Sequence, residues 1–186
     1  MTMLTDQQIT DLHNHKNIIA PFDATQVQPN SYEVTLGHEI TITVNDDPTM
    51  PGFVDAMTGE EHGCHREHHH VEWFDMAPGD FLLAHTNEYV RIPNDILCTV
   101  EGKSTIARIG VTIHSTAGWV DSGFEGQITL ELFNSSQQVV RLHAGQNIAQ
   151  LAFDQLSEPC ATPYGSDRRH SHYQGQTGAT SARIAG

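Results

Sequence analysis

Apolar and polar residues alternate with a period of two along much of this chain. Tyr32, Val34 and Leu36 are separated by polar positions, and after Gly37 the alternation resumes in Ile40, Ile42 and Val44, as in strands that show one face to a core. Pro78-Gly79-Asp80 marks a turn before the apolar run Phe81-Leu82-Leu83-Ala84. Ile128, Leu130 and Leu132 alternate with Thr129, Glu131 and Phe133, and Ala144-Gly145 is a further turn ahead of Ile148, Leu151 and Phe153. Near the start the period changes: Thr5-Asp6-Gln7-Gln8 has the form of a capping box, and Ile9 and Leu12 share one face of a short helix. Many short strands with one clear helix predict a mainly β fold, a distorted jelly roll or β-barrel with a short N-terminal helix.

Two stretches break the pattern. Residues 46–76 are polar and rich in Gly, His and acidic side chains, which suggests an inserted loop or hairpin. From 157 onward the chain is rich in Gly, Ser and Gln with few apolar residues, so a tail without a core of its own is expected. The expected organisation is a β domain over 1–156 and a C-terminal arm over 157–186.

A chain of 186 residues suffices for one domain with a real core. No apolar run approaches the roughly 20 residues that span a bilayer, and the start M-T-M-L-T-D-Q-Q lacks the basic and apolar regions of a signal peptide. A cytoplasmic protein is expected. Cys64, Cys98 and Cys160 are odd in number and lack C-x-x-C spacing, against both a disulfide framework and a thiolate zinc site. Net charge is −14, from nine basic and twenty-three acidic side chains, so nucleic acid and anionic membrane are poor partners. A phosphorylated ligand would need local cations. Lys103, Arg108, Arg141, Arg168, Arg169 and Arg183 lie in or after the central segment, whereas only Lys16, Arg66 and Arg91 precede it. An anion is therefore expected to bind at the central segment.

That segment, 101–132, carries most of the chemistry: E-G-K-S-T-I-A-R-I-G-V-T-I-H-S-T-A-G-W-V-D-S-G-F-E-G-Q-I-T-L-E-L. Alternation places Glu131 on the face opposite the aliphatics. Flanked by Leu130 and Leu132, its carboxylate is partly desolvated, which suits it to moving protons; a solvated edge-strand glutamate is the plain alternative. Ser104 follows Gly102-Lys103 in a turn that can offer a hydroxyl and backbone N–H groups to phosphate oxygens, with the planar fork of Arg108 four residues on. No Walker loop is present, since G-x-x-x-x-G-K-[ST] does not occur. Thr116-Ala117-Gly118-Trp119-Val120-Asp121 reads as strand, tight turn, strand. A small residue at Ala117 lets a ligand approach the backbone, and Asp121 can accept a hydrogen bond from a sugar hydroxyl or simply cap a solvated hairpin.

Taken together the segment resembles the dCTP deaminases of the trimeric dUTPase superfamily, whose pattern is close to E-G-[RK]-S-S-L-A-R-L-G…H-x-T-A…D-x-G-[FW]-x-G-x-I-T-L-E. Similarity extends to Pro29-Asn30-Ser31-Tyr32-Glu33-Val34-Thr35-Leu36-Gly37, to Gly145-Gln146-Asn147-Ile148-Ala149-Gln150-Leu151 and to Tyr173-Gln174-Gly175-Gln176-Thr177-Gly178. The resemblance implies a dUTPase-like jelly roll and a homotrimer whose three active sites are built by neighbouring subunits and closed by the C-terminal arm. It implies dCTP and dUTP as ligands, Mg²⁺ bound through the triphosphate, and no catalytic zinc. Glu131 falls at the catalytic glutamate. Ser104 would help hold the nucleophilic water, and Lys103 and Arg108 belong to the phosphate-binding turn. Ala117 and Trp119 would lie by the base, Asp121 by the deoxyribose 3′-hydroxyl. Gln150, Tyr164, Tyr173 and Gln176 match positions that touch base, sugar or phosphates. His172 stands where several relatives carry a lysine, and an uncharged imidazole attracts a triphosphate less; Arg168 and Arg169 are expected to compensate.

The activity so implied is zinc-independent hydrolytic deamination of dCTP to dUTP and ammonia. Gly118-Trp119 replaces the His-Arg pair of enteric monofunctional deaminases and is similar to bifunctional members that carry dCTP through to dUMP and pyrophosphate. A plain dUTPase is disfavoured by Glu131, where those enzymes have an apolar residue, and a non-catalytic nucleotide-binding regulator is the remaining alternative. Zinc deaminases carry H-x-E…P-C-x-x-C; His65-Arg66-Glu67 and Pro159-Cys160 spell parts of that motif without the second cysteine. The histidines of the insert (His62, His65, His68, His69, His70) with Glu60, Glu61, Glu67, Glu72 and Cys64 suggest either an accessory divalent-metal site or a solvated loop.

Overall fold

The computed structural model describes residues 2–169 and 171–184. The capping box forms as its sequence predicts. Thr5 accepts from the backbone N–H of Gln8, the Gln8 side chain accepts from the backbone of Thr5, and the helix Asp6–Lys16 ends at Asn17 in the left-handed region. Ile9 anchors it, fully buried.

Two antiparallel sheets make the body. The first runs Trp119–Val120, Ile96–Gly102, Asn147–Gln155, Ser31–Thr35, Val27–Gln28, with Thr2–Met3 beside Asn147–Gln155. The second runs Val111–Thr112, Glu125–Asn134, Phe81–Arg91, Glu39–Asn45, Cys64–His70, with Ile19–Ala20 beside Phe81–Arg91. One apolar cluster joins them: Tyr32, Val34, Leu151 and Phe153 from the first sheet with Ala84, Leu130 and Leu132 from the second. Removing this apolar surface from water holds the layers together, at about 25 cal/mol per Å² buried. The architecture is jelly-roll-like, and the sheets do not close into a barrel among the described residues.

The second sheet positions the chemistry, and its register is fixed by the outward alternation. Glu131 stands opposite Leu83, Leu83 opposite Thr41, and Thr41 opposite His68, a single lateral row across four strands. A bulge between His85 and Tyr89 interrupts the Phe81–Arg91 strand. Thr86 bridges it, donating its hydroxyl to the Glu88 carbonyl and accepting the backbone N–H of Ile128.

Two expectations need amending. Residues 46–76, expected as an inserted loop or hairpin, are not only that. Cys64–His70 adds a strand to the second sheet through seven paired positions, and Trp73–Met76 pairs with Val140–His143, burying Phe74 and Met76. Only Phe53–Val54 and Glu61–His62 form a small separate hairpin. Nor is 116–121 a hairpin. Val111–Thr112 pairs with Glu125–Asn134 in the second sheet, while Trp119–Val120 pairs with Ile96–Gly102 in the first. The loop between them crosses from one sheet to the other, a connection that local turn signals do not encode.

Candidate active site

Along Glu125–Asn134, Ile128, Leu130 and Leu132 are buried while Gln127, Thr129 and Glu131 are half-buried on the outward face. The crossing loop is tied to Glu131 twice. The Glu131 backbone N–H donates to the Ile113 carbonyl at 2.9 Å, and Glu131 Oε2 accepts the Ser115 N–H at 2.9 Å. Gly118 seats the loop on the first sheet: its carbonyl accepts the Val100 N–H at 2.7 Å. A Cβ on residue 118 would lie 3.0 Å from the Val100 oxygen and 3.1 Å from the His114 ring, so this approach favours glycine.

Glu131 lines a cavity of about 520 Å³, together with Ala117, Trp119 and Asp121 from the crossing segment and Leu83 from the neighbouring strand. This is within the range of small-molecule sites. The C-terminal segment supplies the remaining wall with Tyr164, Tyr173 and Gln176 of the same chain. Its course is fixed by hydrogen bonds. The Tyr164 N–H donates to the Ser122 carbonyl (2.9 Å) and the Tyr173 N–H to the Tyr164 hydroxyl (2.9 Å). The Gln127 N–H donates to the Gln176 carbonyl, also at 2.9 Å. Gly123 makes the close passage possible: at φ +95° its absent Cβ would lie 2.5 Å from the Tyr164 carbonyl oxygen.

Gln176 is buried, and its amide nitrogen donates to the Gln127 carbonyl at 2.8 Å. Its Oε1, solvent-inaccessible, has no partner among the described residues. A buried acceptor left unmatched is costly, about 1–3 kcal/mol.

Arg66 also lines this cavity, with its Nε held 2.6 Å from Glu61 Oε1. The charge distribution of the sequence directs attention to the cations from Lys103 onward, so this one was missed. The signal that finds it is register: Arg66 lies two residues from His68 on an added strand, hence on the same outward face as Glu131. His68 ties this strand to the arm. The Thr41 hydroxyl donates to the Ala179 carbonyl at 3.0 Å, so its 2.8 Å contact with His68 Nδ1 is one in which the imidazole donates. Beneath the arm, His85 is buried, its Nδ1 2.9 Å from the Thr86 carbonyl and its Nε2 accepting the Glu39 N–H at 3.2 Å. Burial lowers its pKa, outweighing the backbone bond and the nearby Glu39 charge.

Lys103, Ser104, Arg108 and Gln150 do not line the cavity. Ser104 and Arg108 sit one turn apart on the short helix Ser104–Ala107, exposed and without an ion pair to Arg108 among the described residues. Gln150 lies on the first sheet, where it accepts the Ser31 hydroxyl at 3.1 Å. The Lys103 ammonium is bonded to buried Glu33. It is thus neutralised within the chain, unlike the free phosphate cation the sequence suggests. His172 is exposed and away from the cavity, as are Arg168 and Arg169; the His172 carbonyl, not its ring, is engaged, accepting from Arg183 at 2.6 Å. The partial zinc-deaminase motif does not assemble. His65 contacts Asp46 (2.7 Å) and Glu67 (3.4 Å), and Cys160 is held elsewhere by its N–H to Asn94.

Fold and cavity together describe a jelly-roll-like β protein with a carboxylate at the wall of a small-molecule-sized site. The sequence model of the dCTP deaminase-like family matches residues 3–156, and the chain belongs to that family. It is 39% identical over 190 residues to "dCTP deaminase, dUMP-forming" of Methanobrevibacter smithii, covering 99% of this chain and 96% of that protein. With the protein of the same name in Thermobifida fusca identity is 43% over 170 residues, 88% of this chain and 82% of the other. Among solved structures, 2′-deoxycytidine 5′-triphosphate deaminase from Agrobacterium tumefaciens superposes with a TM-score of 0.61 at 19% identity. That match spans 82% of this chain and 47% of the other, a likeness of fold. No helix among the described residues is long and apolar enough to cross a membrane.

Proposed function

We propose that this protein converts dCTP to dUMP in two hydrolytic steps: deamination at cytosine C4, then cleavage between the α- and β-phosphates. Two waters enter, and ammonia and pyrophosphate leave. Deamination alone, ending at dUTP, was the first expectation from sequence. The dUMP-forming reading has better support, in the relatives that carry that name.

The observation that carries the proposal is Glu131, a half-buried carboxylate lining the same cavity as Ala117, Asp121 and Gln176. Cytosine C4 becomes electrophilic when N3 is protonated. Glu131 takes a proton from water as the water oxygen bonds to C4 and delivers that proton to N3; it then takes the proton of the new C4 hydroxyl and passes it to the amino group as the C4–N bond breaks, so one carboxylate serves as base and acid in turn. Such transfer is typically worth about 10²–10⁴-fold in rate. Asp121 accepts the sugar hydroxyl, the Ala117 backbone faces the base, and Gln176, held by the Gln127 carbonyl, completes the wall beside the nucleotide. Tyr164 and Tyr173 supply flat apolar walls.

Ser104, Arg108 and Gln150 enter from a second copy of the chain. One chain holds its carboxylate cavity and its exposed Ser104–Arg108 turn on different surfaces, each beside large apolar side chains left open. Trp119 is 68% exposed at the cavity, and Ile109 and Val139, at 47% and 61%, flank Arg108. Exposed apolar surface of this kind is characteristic of an interface, and a cyclic homotrimer would use all of it. The arm, from about residue 157, closes the cavity of its own chain.

The carboxylates lining the cavity, Asp121 and Glu131, both have roles toward the nucleoside. A Mg²⁺ accompanying the triphosphate would therefore take phosphate and water oxygens rather than a protein cage, and it would offset phosphate charge.

Chromatographic product analysis of dCTP and dUTP, incubated separately, tests the proposal. Pyrophosphate and dUMP from both are expected. Accumulating dUTP would reduce the function to deamination, and absence of ammonia from any cytosine nucleotide would remove it.

A further inference from the structure

His38, His70 and Glu72 come from positions that no sequence motif links, and the fold brings them together. One ring nitrogen of each histidine and one carboxylate oxygen lie within 4.8 Å of one another. We propose that these three side chains bind one divalent transition-metal ion of the zinc, cobalt or nickel type, at a site distinct from the nucleotide cavity.

The backbone holds the three donors at one corner of the second sheet. Glu39, next to His38, pairs directly with His70. The Val71 N–H donates to the His38 carbonyl at 2.7 Å, and the Ala144 N–H to the Glu72 carbonyl at 2.9 Å. The two imidazoles are stacked, centroids 5.3 Å apart at 15°, so one ring would turn about its Cβ–Cγ bond to aim its nitrogen at a shared ion. His38 Nδ1 is shielded from solvent and has no hydrogen-bond partner among the described residues. Its nearest carboxylate oxygen, Glu72 Oε1, is 3.5 Å away, too long for a hydrogen bond. Two ligands on one tetrahedral zinc, with bonds of about 2.0–2.1 Å, sit roughly 3.3 Å apart. The spacing thus suits a shared ion better than a direct bond, and a metal would satisfy the unmatched nitrogen.

Donor chemistry sets the selectivity. Two imidazoles and one carboxylate favour zinc, cobalt, nickel or copper, whereas Mg²⁺ and Ca²⁺ take oxygen ligands. The ion would pin the end of the added strand, through His70 and Glu72, to His38 in the body. That strand carries Arg66 into the cavity wall and His68 to Thr41, whose hydroxyl bonds the arm at Ala179.

The test is titration of untagged full-length protein with Zn²⁺ by calorimetry and with Co²⁺ by visible absorption, after chelator treatment. The proposal expects one ion per chain through these residues, unaffected by excess Mg²⁺. It expects at least a tenfold loss of affinity in both His38→Gln and His70→Gln. His65→Gln and His69→Gln, which alter the neighbouring cluster around Glu67, should bind as the parent does. Melting temperatures measured in chelator should be alike for all four variants, because these imidazoles are surface groups. No binding by the parent, competition by Mg²⁺, or full affinity in His38→Gln would overturn the proposal and leave a histidine–glutamate ion pair.

Discussion

The Glu131 carboxylate accepts the backbone N–H of Ser115 at 2.9 Å, so the residue proposed to move protons also holds the loop that crosses between the sheets. A charge-assisted bond of this type contributes about 1.5–3 kcal/mol. Glu131→Gln keeps an oxygen that can accept from Ser115 and removes the proton shuttle. Ammonia release from dCTP is expected to fall at least 100-fold, while the dissociation constant for dCTP changes by less than about threefold. Stopped assays paired with equilibrium binding would check this. A variant retaining more than about a tenth of parental turnover would exclude Glu131 as the acid–base group.

If the site is shared between copies, inactive subunits should complement each other. Glu131→Gln lacks the carboxylate and Arg108→Ala lacks the guanidinium, and these stand on separate surfaces of one chain. Unfolding and refolding an equal mixture should regenerate roughly one intact site in four by random assortment. Each variant refolded alone should stay inactive. No recovery in the mixture would place both residues in the same chain's site.

Arg66 offers the cavity a cation from a segment that looked peripheral. Its guanidinium is steadied by Glu61, leaving the other donors for an anionic ligand. Arg66→Ala is expected to raise KM for dCTP about tenfold or more with a smaller change in kcat, as for loss of one charge-assisted hydrogen bond. Steady-state kinetics decide it; an unchanged KM would return Arg66 to a structural role.

His85 gives the fold a pH dependence. Burial holds its folded pKa below the ordinary value of 6.5 by penalising the charged ring, and the unprotonated Nε2 accepts the Glu39 N–H. The unfolded chain therefore takes up the proton first. Stability from this group is complete above about pH 6.5 and is lost as pH falls through 6.5 toward the lowered folded value. Glu39 opposes the shift and His38 adds to it. His85→Gln can accept from Glu39 and donate to Thr86 without titrating. Urea unfolding at pH 7.5 and 5.5 should show the parent's advantage over this variant shrinking at the lower pH. An advantage that stayed constant would remove His85 as the source.

Sequence alone determined what depends on local order. The capping box fixed the helix start, period-two alternation separated Leu130 and Leu132 from Glu131, and the central motif with its resemblance identified the family. Those features are legible because a strand or helix turn repeats every few residues, and its chemistry is written at that spacing. Tertiary structure decided which distant segments meet. Lateral pairing across four strands placed His68 and Arg66 beside the face of Glu131. The change of sheet between Val111–Thr112 and Trp119–Val120 replaced an expected hairpin. Ion pairing withdrew Lys103 from the surface cations, and the arm's hydrogen bonds left His172 outside the cavity while bringing Gln176 into it. The convergence of His38 with His70 and Glu72 arose likewise from strand register, which depends on contacts between residues far apart in the chain and leaves no periodic trace in it.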